Sequence, residues 1–161
     1  MYRWLRNTII RVIWDGASRL SDGQDKSEML RRLLRRYPTW SWGHRLLAEN
    51  SLTRDNIGLA YAASLCYREL TQKDSADFAH AHFLLGSCFL RRGDWRSALH
   101  HLKIAHSISP SVHEITEELA AAHMLAEDYS TAAHFIQAIP EASRSAQAKA
   151  ALSFAATRLR T

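Results

Sequence analysis

Apolar positions along this chain recur three and four residues apart, with almost none of the alternation expected of strands. Leu30, Leu33, Leu34 and Tyr37 form one i, i+3, i+4, i+7 stripe, and Arg31, Arg32, Arg35 and Arg36 flank it. At helical spacing, Tyr2, Leu5, Ile9, Val12, Ile13 and Leu20 share an arc of about 100°. Trp4, Ile10 and Trp14 fall on the other side, beside Arg11. Runs of β-branched residues are few, and Ala, Leu and Arg, all good helix formers, fill most windows. The pattern predicts an all-α chain. Helical segments are expected near 25–37, 42–53, 77–91 and 113–126, with an alanine-rich closing helix over 145–160. Asp25 with Glu28, and Ser111 with Glu114, have the spacing of capping boxes and predict two of the helix starts.

A period lies inside this helical pattern. Asp94-Trp95-Arg96-Ser97-Ala98 returns 34 residues later as Asp128-Tyr129-Ser130-Thr131-Ala132, and 38 residues earlier the chain reads Asn56-Ile57-Gly58-Leu59-Ala60. Each block supplies a residue suited to accept from free amides at a helix start. Each then places an alanine one turn further on, where a neighbouring helix can come close. Helix, short turn, helix, repeated at this length, predicts antiparallel helix pairs stacked as an α-solenoid.

Residues 79–112 carry Leu85-Gly86, Phe89, Gly93, Ala98, Leu102, Ala105 and Pro110, and at these positions they resemble the tetratricopeptide repeat. His82 departs from the pattern, standing where that family often has tryptophan. The flanking units are more degenerate: 41–74 keeps Leu47-Ala48 and Ala60, and 113–146 keeps Leu119-Ala120 and Ala132. The resemblance implies a right-handed superhelix of helix pairs. It implies an organisation of an amphipathic helix and linker (1–24), a partial unit (25–40), units 41–74, 79–112 and 113–146, and a closing helix (147–161).

In that family the first helix of each unit lines a concave groove. Carried over, the groove positions are Trp42, Arg45, Glu49 and Leu52, then His80, Phe83, Ser87 and Leu90, then Glu114, Glu117, Ala121 and Met124. The lining is aromatic and basic at one end, apolar in the middle and acidic at the other. It suits an extended peptide or a partner helix with apolar anchors and a polar rim. The implied role is that of an adaptor, assembly factor or dedicated chaperone. One subtype of the family grips a terminal carboxylate with Lys and Asn. Here Glu49 replaces the asparagine, and Glu114 and Glu118 occupy later basic positions, so such a ligand would be repelled.

Charge sharpens the reading of the first segment. Residues 1–54 hold 11 Lys/Arg against 5 Asp/Glu, whereas residues 55–161 hold 10 against 11. The basic excess therefore belongs to the amino-terminal part. Trp4, Arg11 and Trp14 mark a surface for a partner or an anionic membrane, and the apolar face beside them suits a cap on the helical stack. The arginines at 31–36 lie on an outer flank and the groove positions are mixed in charge, which disfavours nucleic acid. Self-association through uncapped ends stays open.

Chemistry has little foothold. His80 and His82 are two apart and His100 and His101 adjacent, neither a ligand spacing for one helix face, and no HExxH, phosphate loop or GxSxG is present. Cys66 and Cys88 are isolated thiols, with Cys88 on a helix seam. No catalytic residue, metal or cofactor is expected. The composition, 47% hydrophobic and 23% charged, is that of a globular domain, and no apolar run approaches a membrane span. A cytoplasmic protein, peripheral to a membrane if residues 1–14 bind one, is the expected setting.

Overall fold

The computed structural model describes the backbone of residues 23–160 and the side chains from Lys26 onward. Among the described residues there are eight α-helices, one 3-10 turn (Glu141–Ser143) and no strand. The helices are α1 (Gly23–Arg36), α2 (Ser41–Thr53), α3 (Ile57–Leu70), α4 (Ala76–Arg91), α5 (Trp95–Ile108), α6 (His113–Leu125), α7 (Tyr129–Ala138) and α8 (Ala146–Arg158). The all-α expectation therefore holds. The chain divides after Leu70 into two compact units.

In the unit ending at Leu70, α1 packs on α2 and α2 on α3. The stripe of α1 turns inward: Leu30 and Leu34 are buried, while Arg31, Arg32, Arg35 and Arg36 are exposed. Trp40, Leu47, Ala48, Leu52, Ala60, Ala63 and Tyr67 complete the buried apolar set. Ser27 Oγ donates to Asn50 Oδ1 at 2.6 Å and ties α1 to α2. The buried hydroxyls of Ser51 and Ser64 donate to carbonyls of their own helices, Leu47 O and Ala60 O, so neither is left unsatisfied.

In the unit from Thr71 onward, each helix from α4 to α8 packs on the next, and α6 also touches α4 and α8. One apolar cluster joins Ala98 and Leu102 of α5 to Leu119 and Ala122 of α6, with Phe83, Phe89, Leu90, Leu99 and Phe135 against it. A second joins Ala120, Ile136 and Ala148, with Ala151 and Leu152 alongside. Gly86 brings α4 onto α5. A Cβ there would lie 2.5 Å from Leu102 Cγ, inside contact distance of a fully buried side chain.

The three hairpins α2–α3, α4–α5 and α6–α7 share one turn. Asp55, Gly93 and Glu127 hold φ of 56°, 75° and 60°, the left-handed region. Their amides reach back to Leu52 O, Leu90 O and Met124 O at 3.1, 2.9 and 3.1 Å. The next residues, Asn56, Asp94 and Asp128, donate their amides to Ser51 O, Phe89 O and His123 O at 2.9, 3.0 and 2.9 Å. This bond pair satisfies the last carbonyls of the outgoing helix. The same three side chains then accept from Leu59 N, Ser97 N and Thr131 N at 3.2, 3.1 and 3.2 Å, which caps the incoming helix. One turn on, Ala60, Ala98 and Ala132 are fully buried. The repeating block in the sequence is thus a repeating turn. For Asp94 and Asp128 these bonds, first of all those from Ser97 and Thr131, hold the carboxyls below the usual range.

Two expected helix starts are corrected. α1 already includes Asp25 and the two residues before it, which places Asp25 inside the helix instead of at its cap. α6 begins at His113 with Val112 at the cap and no side-chain bond there. A backbone turn in which Val112 N donates to Ser109 O carries the chain past Ser111 before the helix starts.

Substitution of Gly93 by Ala forces an L side chain to positive φ and is expected to destabilise by about 1 kcal/mol, although the site has open space. Glu127→Gly relieves the same strain and is expected to gain up to about 1 kcal/mol. Urea unfolding midpoints of the two variants should move in opposite directions. Gly86→Ala overpacks the α4–α5 seam and should cost about 1–3 kcal/mol by the same measurement.

Candidate functional site

The groove positions named from sequence divide between the two units. Trp42, Arg45, Glu49 and Leu52 lie on α2; His80, Phe83, Ser87 and Leu90 lie on α4; Glu114, Glu117, Ala121 and Met124 lie on α6. Trp4, Arg11 and Trp14 lie outside the described residues.

On α2 the basic position is already matched by its own neighbour. Arg45 Nε donates to Glu49 Oε1 at 2.8 Å, one helical turn away. Burial pulls the Arg45 guanidinium down, but the hydrogen bond and charge of Glu49, with help from Tyr67, leave it above its ordinary value. Trp42 is half-buried and meets Trp40 edge-on, with ring centroids 5.6 Å apart. Leu52 is buried. In the same unit Leu34, Leu47, Leu59 and Ala63 floor an apolar depression of about 330 Å³ with Arg31, Arg35 and His44 at its edge. No groove position lies in it.

In the second unit the groove positions do come together. Phe83 from α4 and Glu114, Glu117 and Ala121 from α6 line a cleft of about 430 Å³. Its remaining walls are Glu118 of α6, Ile136 of α7, and Gln147, Ala148 and Ala151 of α8. The floor is apolar and the rim carries three carboxylates. Residues 114, 117, 118 and 121 are one helix face by spacing, so one turn pattern on α6 supplies the whole acidic wall. His80 stands beside this group with its ring 5.7 Å from Phe83. Leu90 packs on the core cluster, Ser87 is buried, and Met124 is half-buried.

Two of the glutamates are tied into the fold. Glu117 Oε1 accepts from Ser145 N at 2.7 Å, while Ser145 Oγ accepts from Ala148 N at 3.1 Å. This ties the start of α8 to α6. Arg144 closes the end of α7 by donating to Ile139 O and Gln137 O at 2.9 and 3.1 Å. Glu118 faces the α4 seam, where its Oε2 contacts Ser87 Oγ, and Ser87 Oγ also lies 3.0 Å from Phe83 O. A hydroxyl has one proton and here meets two acceptors. Burial pushes the Glu118 carboxyl above the usual range, against opposite pulls from the Ser87 hydroxyl and Arg91. A protonated carboxyl can donate to Ser87 Oγ and free that hydroxyl for Phe83 O. Glu114 is the exposed member of the set.

The sequence reading missed the α8 contribution and the partial burial of Glu118. The i, i+4 spacing from Glu114 to Glu118 could have flagged the acid, but burial depends on α4 lying across it. Cys88 is buried, as its seam position suggested, and Cys66 is exposed. No three metal-ligating side chains converge among the described residues. No described helix is long and apolar enough to cross a membrane. No protein-family model matches the chain, and no curated protein matches it.

Glu118→Gln provides a test of the buried carboxyl. A group whose folded pKa is raised contributes most below its unfolded value and loses that contribution as pH rises through the folded value. The Gln variant, whose amide can donate to Ser87 without ionising, should therefore be the more thermostable protein at pH 7. Its advantage should vanish below about pH 4.3, where unfolded glutamates are protonated too. Thermal scans of both proteins across this range give the comparison.

Proposed function

We propose that this chain is a non-catalytic protein-interaction module of the tetratricopeptide-like, α-solenoid kind, which takes an extended or helical segment of a partner protein as an adaptor, assembly factor or dedicated chaperone would. The observation that supports it is the cleft of about 430 Å³, whose walls include four of the groove positions inferred from the resemblance. An apolar floor under a carboxylate rim favours a segment with an apolar anchor flanked by Lys or Arg. The anchor would lie against Phe83, Ala121 and Ala151, and the cation would meet Glu114, whose exposure leaves it accessible to a partner. Contacts of α6 with α4 and α8 favour the inner row of first helices that such a module uses.

A displayed peptide library panned against the purified protein tests this reading. Enriched segments should carry Lys or Arg within about one helical turn of Leu, Ile or Phe. Glu114→Lys should weaken the best of them about tenfold or more, with unchanged circular dichroism, because it places like charge at the rim. The proposal fails if no segment is enriched, or if enriched segments bind Glu114→Lys and Ala121→Arg as well as wild type.

A further inference from the structure

We infer, resting on that reading of the cleft as a site for basic, apolar segments, that its occupant is residues 2–14 of a second copy of this chain. The cleft asks for an apolar anchor with a cation within one helical turn, because Phe83, Ala121 and Ala151 offer apolar contact and the exposed acid is Glu114. Residues 2–14 lie outside the described residues, and their sequence supplies that chemistry. They hold Arg3, Arg6 and Arg11, no acid, and apolar side chains at Tyr2, Leu5, Ile9, Val12 and Ile13. That spacing suits a helix laying one apolar face into a groove. Arg6 borders the apolar positions, four residues after Tyr2 and three before Ile9, so at helical spacing it is one turn from either anchor.

Two other stretches that combine arginine with large apolar residues are already engaged. In α1, Leu30 and Leu34 are buried in their own unit. In α8, Arg158 lies over the Phe154 ring at 5.1 Å, and the same helix supplies Ala148 and Ala151 to the cleft wall. The acidic side of the match is equally selective. Glu117 accepts from Ser145 N and Glu118 contacts Ser87 Oγ, which leaves Glu114 as the exposed rim carboxylate for a partner's arginine. Charge favours pairing between copies. Residues 1–54 carry 11 Lys/Arg against 5 Asp/Glu, whereas the cleft rim is acidic, so one chain carries both complementary surfaces. The segment is covalently tied to the unit ending at Leu70, and the cleft belongs to the unit from Thr71 onward. A second copy presents its cleft without the restraint of that tether.

Sedimentation velocity of the full chain is the test. Wild type should associate as its concentration rises through the micromolar range, and added salt should weaken the association. Arg6→Glu and Glu114→Lys should each weaken it about tenfold or more, because each sets like charges against one another. The critical sample is their mixture. The Arg6→Glu chain keeps an intact cleft and the Glu114→Lys chain an intact segment, so the two should associate together although each alone does so poorly. A peptide of residues 1–16 should dissolve the wild-type assembly, a reading that needs no variant to fold. The inference is overturned if wild type stays monomeric, if either variant associates as well as wild type, if the mixture associates no better than its parts, or if the peptide leaves the assembly intact. Any of these results, with library segments still dependent on Glu114, removes the self-pairing and leaves the cleft reading standing. Loss of that dependence as well removes both.

Discussion

Each of three helical hairpins turns on a single backbone residue at positive φ. Asp55, Gly93 and Glu127 close the outgoing helix, and the side chain of the following residue caps the incoming one. Reversal within so few residues leaves no slack, so the first turns of α3, α5 and α7 are held close to the helices that precede them. Alanine at the facing position is then a steric requirement, met by Ala60, Ala98 and Ala132 at zero exposure. Gly86 against Leu102 continues the same close approach further along α4 and α5.

In the unit from Thr71 onward this closeness has a consequence for the cleft. With α5 and α7 drawn in behind them, α4 and α6 meet, and Phe83 comes into one concavity with the glutamates of α6. α8 bounds it, anchored by the Glu117–Ser145 bond. The three acids on one helix face consequently take three roles: Glu114 is exposed, Glu117 holds a helix start, and Glu118 is half-buried against Ser87. Chemistry that looks uniform along the sequence is divided by packing. The proposed recognition of a basic, apolar segment depends on this division, because only the exposed acid remains free to meet a partner's charge without first leaving the fold.

Histidine shows the same division. His80 and His82 are two residues apart, which puts them on different faces of α4. His80 stands beside Phe83, and His82 is buried against His101. His123 Nδ1 donates to Asp128 Oδ2 at 3.1 Å, so a residue that caps α7 also engages the preceding helix. Spacing along one helix excluded a shared ligand face. It could not reveal a contact between His82 and His101, because their separation of 19 residues has meaning only once α4 and α5 pair.

Much of the helical content was legible because it depends on local rules: apolar spacing of three and four, acceptor side chains at helix starts, proline after helix ends. Three interior caps, at Asn56, Asp94 and Asp128, followed from the repeated block. The boxes at Asp25 and Ser111 did not, since a box describes compatible side chains and not the backbone path that reaches them. The positive φ of Asp55 and Glu127 was hidden as well, because only at Gly93 does the residue type announce it. By itself, then, the sequence determined where helices form, where the three hairpins turn, and which faces are apolar, all of which arise from interactions within a few residues. Tertiary structure alone decided which acid is drawn partly out of solvent, which histidines touch and that α8 walls a cleft, because desolvation and contact are properties of helices distant in sequence brought side by side.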